Sequence, residues 1–168
     1  IEPAIKPAEL KTKTKRGGIL ATKGTLQSSI FSKTSELFAQ NIQIFEVVGE
    51  GLVPLIEENK IDTIEMDLLL EKYLSPMITS EIDYLVLGCS HYPYLIPKIK
   101  KIMPSNVSII DSGEAVAKQT KSQLEKHNLI TSEVIKPRLE FYTNKSTSTL
   151  KHLLKEYSKS INISFLDF

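Results

Sequence analysis

The sequence predicts an α/β protein built on a parallel sheet, and two observations carry that reading. Apolar runs of strand length alternate with longer stretches of helical periodicity, and Gly, Pro, Ser, Asn or Asp marks nearly every switch. Strands joined by crossover helices produce this alternation. The run Ile82-Asp83-Tyr84-Leu85-Val86-Leu87 is also nearly continuous in apolar residues, as a strand covered on both faces must be.

Taken in order, Gly17 to Ala21 reads as a first strand. A turn at Gly24-Thr25 leads into a helix of about a dozen residues carrying Ile30, Leu37 and Phe38. Ile42 to Val48 is a second strand, and Gly49-Glu50-Gly51 opens a short segment from Leu52 to Glu58. Thr63 to Tyr73, rich in Leu, Glu and Met, reads as a helix that Ser75-Pro76 ends. The third strand, Ile82 to Leu87, runs into Gly88-Cys89-Ser90-His91, and Pro93 suits the first position of a helix containing Leu95, Ile96, Ile99 and Ile102. Val107 to Ile110 is a fourth strand. Asp111 and Glu114 then have capping-box spacing before a helix with Ala115, Val116 and Leu124. The polar stretch Asn128 to Lys136, closed by Pro137, reads as a linker. A strand (Leu139 to Thr143), a helix (Ser146 to Tyr157) and a last strand (Ile161 to Leu166) form the tail.

At 168 residues the chain holds one domain, or one domain plus part of another, and 41% apolar residues suffice for a core. No apolar run approaches the roughly 20 residues of a membrane span, and the Lys-rich start from Ile1 to Arg16 has no apolar block behind it. Neither a membrane span nor a secretion signal is expected. Because the chain begins at Ile1, it is expected to be a piece of something longer. A net charge of +1 gives no electrostatic footprint for nucleic acid, and the early lysines read as a solvated run. The single cysteine, Cys89, excludes an internal disulfide and a multi-thiolate zinc site, which suits the cytoplasm.

Ligands in open α/β sheets bind beyond the carboxyl ends of strands, so the strand-to-helix turns are where chemistry is sought. Ala21-Thr22-Lys23-Gly24-Thr25 offers two hydroxyls and backbone donors to an anion, or simply caps a helix. Gly88-Cys89-Ser90-His91 places a thiol before a helix N-terminus, which favours the reactive thiolate, with an imidazole two residues on. The alternative is an inert core thiol and a satisfied histidine. Asp111-Ser112-Gly113-Glu114 resembles a small-anion turn, but a helix cap explains it fully, with Asp111 as the cap. Cys89 and His91 lack companion ligands at zinc spacing, so no metal is expected, while His127 and His152 read as surface residues. The phosphate-binding Gly-rich loop and the serine-hydrolase elbow are absent, and a cysteine phosphatase would need arginine where Leu95 stands. A cysteine beside a histidine with no electrophile-handling site suits proton transfer.

Leu87-Gly88-Cys89-Ser90-His91-Tyr92-Pro93 resembles the second-cysteine signature of glutamate racemases, usually Gly-Cys-Thr-His-Tyr-Pro. Ile1-Glu2-Pro3-Ala4, Ala21 to Thr25, Leu52 to Glu57 and Ile110 to Glu114 match further stretches in the family's order. The resemblance implies a three-layer, flavodoxin-like lobe over residues 1–111, and a segment over 112–168 that would complete the family's other lobe. It implies interconversion of L- and D-glutamate by two facing cysteines, with no cofactor, serving peptidoglycan synthesis. Cys89 would be one proton carrier, His91 its assistant and Glu57 the acid associated with His91. Ser90, His91, Thr22 and Thr25 would bind substrate. The family's first-half Asp-Ser-Gly, Pro-Tyr-Gly and Cys-Asn-Thr segments are missing, the only Asp-Ser-Gly here being the downstream one at Asp111, so this polypeptide alone is expected not to racemise glutamate. A missing lobe would leave apolar surface on the tail, and homo-oligomerisation through it is expected. Two other readings stand beside this one: a sibling aspartate or hydantoin racemase, which His91 disfavours, and a non-catalytic module binding a small carboxylate or phosphate.

Overall fold

The computed structural model describes residues 12–38, 42–131 and 138–168. The opening match Ile1-Glu2-Pro3-Ala4 lies outside them. Four strands, β1 (Arg16–Ala21), β2 (Gln43–Val48), β3 (Tyr84–Gly88) and β4 (Ser108–Ile110), form one parallel sheet in the order β2-β1-β3-β4. Side chains alternate across a strand, so β1 and β3 feed two cores at once. Leu20, Leu85 and Leu87 enter one, and Ile19, Ala21, Tyr84 and Val86 enter the other.

Helices cover both faces, giving the expected three layers. Helix α1 (Lys23–Leu26) leads to α2 (Ser29–Phe38), whose Phe31 packs on the second face. Helices α3 (Leu52–Glu57), α4 (Ile64–Thr79) and α5 (Ile96–Ile102) cover the first face with Leu52, Leu55, Ile56, Met66, Leu70, Leu74, Met77 and Ile99. Each such side chain contributes about 1.5–3 kcal/mol by leaving water. Among the described residues no helix is long and apolar enough to cross a membrane.

Helix α4 does not end at Ser75-Pro76 but runs through Pro76 to Thr79. An internal proline removes a helix hydrogen bond, yet Met77 in the following turn is fully buried and holds it against the core. Hydroxyls gather on the nearby carbonyls: Ser75 Oγ donates to Glu71 O at 2.6 Å, Thr79 Oγ1 to Ser75 O at 3.1 Å and Ser80 Oγ to Pro76 O at 2.9 Å. The helix then closes through Glu81 in the left-handed region (φ 53°). Asn59 after α3 and Asn128 after α6 (Gly113–Lys126) close their helices in the same way.

Asp83, just before β3, ties down the incoming chain by accepting from Thr12 Oγ1 (2.8 Å), Thr14 N (2.8 Å) and Lys13 N. Burial pushes its carboxyl up, but these donors outweigh burial and hold it below its ordinary value.

Beyond the first sheet, β5 (Leu139–Thr143) and β6 (Ile161–Phe165) form a separate two-stranded parallel sheet joined through α7 (Thr147–Leu153). The expected helix from Ser146 to Tyr157 is broken into α7 and a 3₁₀ turn, Lys155–Tyr157. Most of the expected linker, residues 132–137, lies outside the described residues. The tail meets the first unit where Leu153 packs on the core and Thr149 Oγ1 donates to Glu57 O at 3.0 Å. It leaves Val116, Leu129, Ile130, Phe165, Leu166 and Phe168 exposed.

Candidate active site

From β1 the chain moves outward to β2 on one side of the sheet, and from β3 to β4 on the other. The carboxyl ends of β1 and β3 therefore flank the reversal point of the strand order, where crevices open in such sheets. Ala21 and Gly88 are paired in register, which sets Thr22 and Cys89 side by side as the first residues past the strands. A cleft of about 610 Å³ opens there. Thr22, Thr25, Ser28, Cys89, Ser90 and Ser112 supply its polar lining, and Ile30, Phe31 and Leu87 its apolar wall.

The threonine turn serves two purposes at once. Thr22 caps α1 by accepting from Thr25 N at 3.3 Å, and the two hydroxyls lie 2.9 Å apart on the cleft wall. Ser28 has its hydroxyl engaged locally, donating to Thr25 O at 2.8 Å and accepting from Phe31 N at 3.1 Å.

Cys89 is a free, half-buried thiol that packs against the first core and still reaches the cleft. Its Sγ lies 3.9 Å from His91 Nδ1, and His91 Nε2 lies 3.2 Å from Glu57 Oε1. A carboxylate only accepts, so the neutral imidazole carries its hydrogen on Nε2 and turns the Nδ1 lone pair toward the sulfur. Cys89, His91 and Glu57 thus form a line from cleft to surface, with the histidine and glutamate side chains 29% and 47% exposed. Neither His91 nor Glu57 is among the residues lining the cleft; both stand behind the thiol.

Two expectations at this rim need correction. The segment after His91 is a 3₁₀ turn, Tyr92–Leu95, and the α-helix begins only at Ile96, so the thiol does not face the end of a regular helix. A Pro93 ring within the turn fits this tighter geometry. The capping box of Asp111 and Glu114 is replaced by a shorter loop in which Asp111 Oδ1 accepts from Gly113 N at 2.7 Å. Ser112 takes the N-cap position without a side-chain capping bond and lines the cleft. Sequence reasoning favoured the cap over a small-anion turn there and did not single out Ser112; its place just past β4 was the signal that could have marked it.

The family model described as Asp/Glu/Hydantoin racemase matches residues 1–120. The chain belongs to the Asp/Glu/hydantoin racemase family. Within that family it is 38% identical over 132 residues to the glutamate racemase of Pseudomonas syringae pv. tomato, covering 79% of this chain and 48% of that protein. The glutamate racemase of Pseudomonas paraeruginosa is 36% identical over 155 residues, covering 92% and 58%. The chain therefore spans between 48% and 58% of the length of these curated relatives. Among solved structures, a glutamate racemase isoform of Bacillus anthracis superimposes with a TM-score of 0.83 at 28% identity, covering all of this chain and 63% of that one. The Escherichia coli glutamate racemase, in complex with L-glutamate and activator UDP-MurNAc-ala, gives a TM-score of 0.77 at 25% identity, covering 98% and 64%. This racemase-family chain thus carries its half-buried thiol in a fold shared over nearly its whole length.

Proposed function

We propose that the chain supplies one side of the active site of a cofactor-independent glutamate racemase. The observation that carries the reading is a thiol in a cleft wall with an imidazole and a carboxylate aligned behind it. In the proposed reaction one thiolate removes the α-proton of glutamate and the electron pair stays on the substrate as a carboxylate-stabilised carbanion. A thiol on the opposite face then donates its proton to that carbon, and the configuration inverts. Cys89 is one carrier; His91 Nδ1 accepts its proton between turnovers, and Glu57 orients the imidazole. Thr22, Thr25, Ser90 and the backbone around them bind the substrate's carboxylates and stabilise the developing charge. The D-glutamate formed is assigned to peptidoglycan synthesis in the cytoplasm.

Inversion needs proton carriers on both faces, and among the described residues Cys89 is the one thiol, imidazole or carboxyl group in the cleft lining. The 168-residue polypeptide alone is therefore proposed not to racemise glutamate. Turnover by the pure chain, abolished by Cys89→Ala, would overturn this part. Residues 1–111 and 112–168 are proposed as the two lobe portions.

Alkylation kinetics test the role of the thiol. Only a few per cent of an ordinary cysteine is thiolate at pH 7. Cys89 should react with iodoacetamide about tenfold faster than free cysteine, and His91→Asn should bring the rate back toward that of the free amino acid. An ordinary rate in the unaltered chain would sink the proton-carrier reading. Calorimetry with D-glutamate, L-glutamate and inorganic phosphate separates the classes: heat with glutamate supports the racemase, and heat with phosphate alone supports a binding module.

A further inference from the structure

Glu57 is the last residue of α3, a helix of only six residues, far shorter than one stable by itself. Its N-cap is Gly51 in the left-handed region (φ 82°), with no side-chain capping bond. Something else must fix where this helix starts. Burial of Leu52, Leu55 and Ile56 and the bond from Gly49 N to Ala21 O (2.9 Å) hold it to the sheet, and Tyr92 ties it to the thiol's own turn: its fully buried hydroxyl donates to Gly49 O at 3.0 Å. Tyr73 adds a second bond, donating to Glu50 O at 2.8 Å. Gly49 is required for the first contact, because a Cβ there would lie 2.4 Å from the Tyr92 hydroxyl oxygen.

Tyr92 is also the residue directly after His91, and its N–H donates to Cys89 O at 3.2 Å. One side chain thus joins the turn carrying the thiol and imidazole to the loop that launches Glu57. We infer that Tyr92 is a positioning residue whose hydroxyl, bonded to the Gly49 carbonyl, sets α3 at the distance where Glu57 Oε1 meets His91 Nε2. This rests on the reading of Cys89 as a proton carrier only for its functional consequence. Burial, with Cys89 nearby adding to it, pushes the Tyr92 phenol above its ordinary range, so it stays a neutral donor across the working pH range.

The test uses the full chain labelled with ¹⁵N-histidine and its Tyr92→Phe variant, which keeps the ring and deletes the hydroxyl. In the unaltered chain the His91 ring shifts should report hydrogen on Nε2. In Tyr92→Phe they should move toward a tautomer mixture while His127 and His152 stay unchanged. Cys89 alkylation at pH 7 should fall about tenfold, the order lost with an outer orienting group. In a Glu57→Gln background, Tyr92→Phe should cause no further loss, because both changes act through one contact. Unchanged His91 shifts in a folded Tyr92→Phe variant, or losses that multiply in the double variant, overturn the inference. If Tyr92→Phe does not fold, Gly49→Ala displaces the hydroxyl from the other side and is held to the same outcomes. Ordinary Cys89 reactivity in the unaltered chain would defeat the proton-carrier reading alone, since the tautomer shifts still decide the role of Tyr92.

Discussion

Replacing Gly17 with alanine should destabilise the chain, although alanine is normally the better residue in a strand. Gly17 is paired with Tyr84 across β1 and β3, and the tyrosine ring crosses the space a side chain at 17 would occupy. A Cβ there would meet Tyr84 Cζ at 1.9 Å and both Cε2 and the hydroxyl oxygen at 2.2 Å. Carbon atoms pack at about 3.5–4.0 Å, so the ring must move by roughly 1.5–2 Å. Tyr84 is 5% exposed and packed with Ile19, Ala21, Phe31 and Val86, so it has nowhere free to go. Overpacking of this kind costs about 1–3 kcal/mol. If the ring instead swings out and loses half of its roughly 200 Å² of burial, the loss is about 2.5 kcal/mol.

Alanine also narrows the unfolded ensemble, which offsets about 0.5–1 kcal/mol. That gain is available because Gly51, not Gly17, is the glycine with a positive φ among the described residues. The net expectation is a loss of about 2 kcal/mol, or a fall of about 4–8 °C in Tm for a chain of this size. Urea and thermal denaturation of Gly17→Ala measure it. In a Tyr84→Leu background the sign should reverse, with Gly17→Ala stabilising by about 0.5–1 kcal/mol. A Gly17→Ala variant as stable as the parent, or an equal loss without the ring, would refute the reasoning. Cys89 alkylation should not change, because Gly17 lies at the opposite end of β1 from Thr22.

Asp83→Asn should lower stability by about 1–2 kcal/mol at neutral pH, since it weakens three charge-assisted hydrogen bonds on a partly exposed group. The Asp83 carboxyl is held below its unfolded value, so its contribution is present above about pH 4 and fades as pH falls through the folded value; denaturation curves of parent and variant should converge in acid, and a gap that widens there would contradict the assignment. Gly51→Ala places a Cβ in the left-handed region and within 3.2 Å of Leu69 Cδ1, so it should cost about 1–2 kcal/mol, with Gly51→Asn milder; equal stability of all three would count against strain. The exposed Leu129, Ile130, Phe165 and Leu166 are proposed to meet the same surface on a second copy, so sedimentation velocity should show faster boundaries as concentration rises, and one monomeric boundary throughout would exclude it.

The central strands were legible because burial on both faces leaves an unbroken apolar run, and the Tyr84–Gly88 run needs no partner to be recognised. The turns after them were legible because small and hydroxyl residues cluster where strands end. Pro76 misled because sequence shows a missing N–H but not the buried Met77 that keeps the helix going. The 3₁₀ turn at Tyr92 was missed for a related reason: Pro93 is compatible with either helix, and only packing of Tyr92 and Leu95 decides. Thr22, Thr25, Cys89 and Ser90 could be grouped from spacing within their turns. The pairing of Glu57 with His91, 34 residues apart, came from resemblance alone, since no periodicity links residues on separate crossovers. The bond from Tyr92 to Gly49 had no sequence signal beyond a glycine in a loop.

The two ends of the sheet are held by different means, and the energetics explain how that division works. At the amino end, Gly17 under Tyr84 and Asp83 under its three donors stabilise the fold by close packing and hydrogen bonds. At the carboxyl end, the His91–Glu57 pair is partly solvated, and an exposed ion pair contributes only about 0–1 kcal/mol. A contact that weak cannot hold α3 in place, so the geometry of the pair must be imposed by something stronger. The buried Tyr92 hydroxyl is such a restraint: the Gly49 carbonyl also accepts from Leu52 N at 3.4 Å, but breaking the tyrosine bond would strand a fully buried hydroxyl at a cost of about 1–3 kcal/mol, enough to keep it on the Gly49 loop. Glu57→Gln should therefore leave stability within about 0.5 kcal/mol of the parent while slowing Cys89 chemistry, the reverse of Gly17→Ala. The thiol's surroundings are thus set by a rigid neighbour rather than by the strength of its own contacts, so the histidine and glutamate can stay partly solvated without loosening the fold.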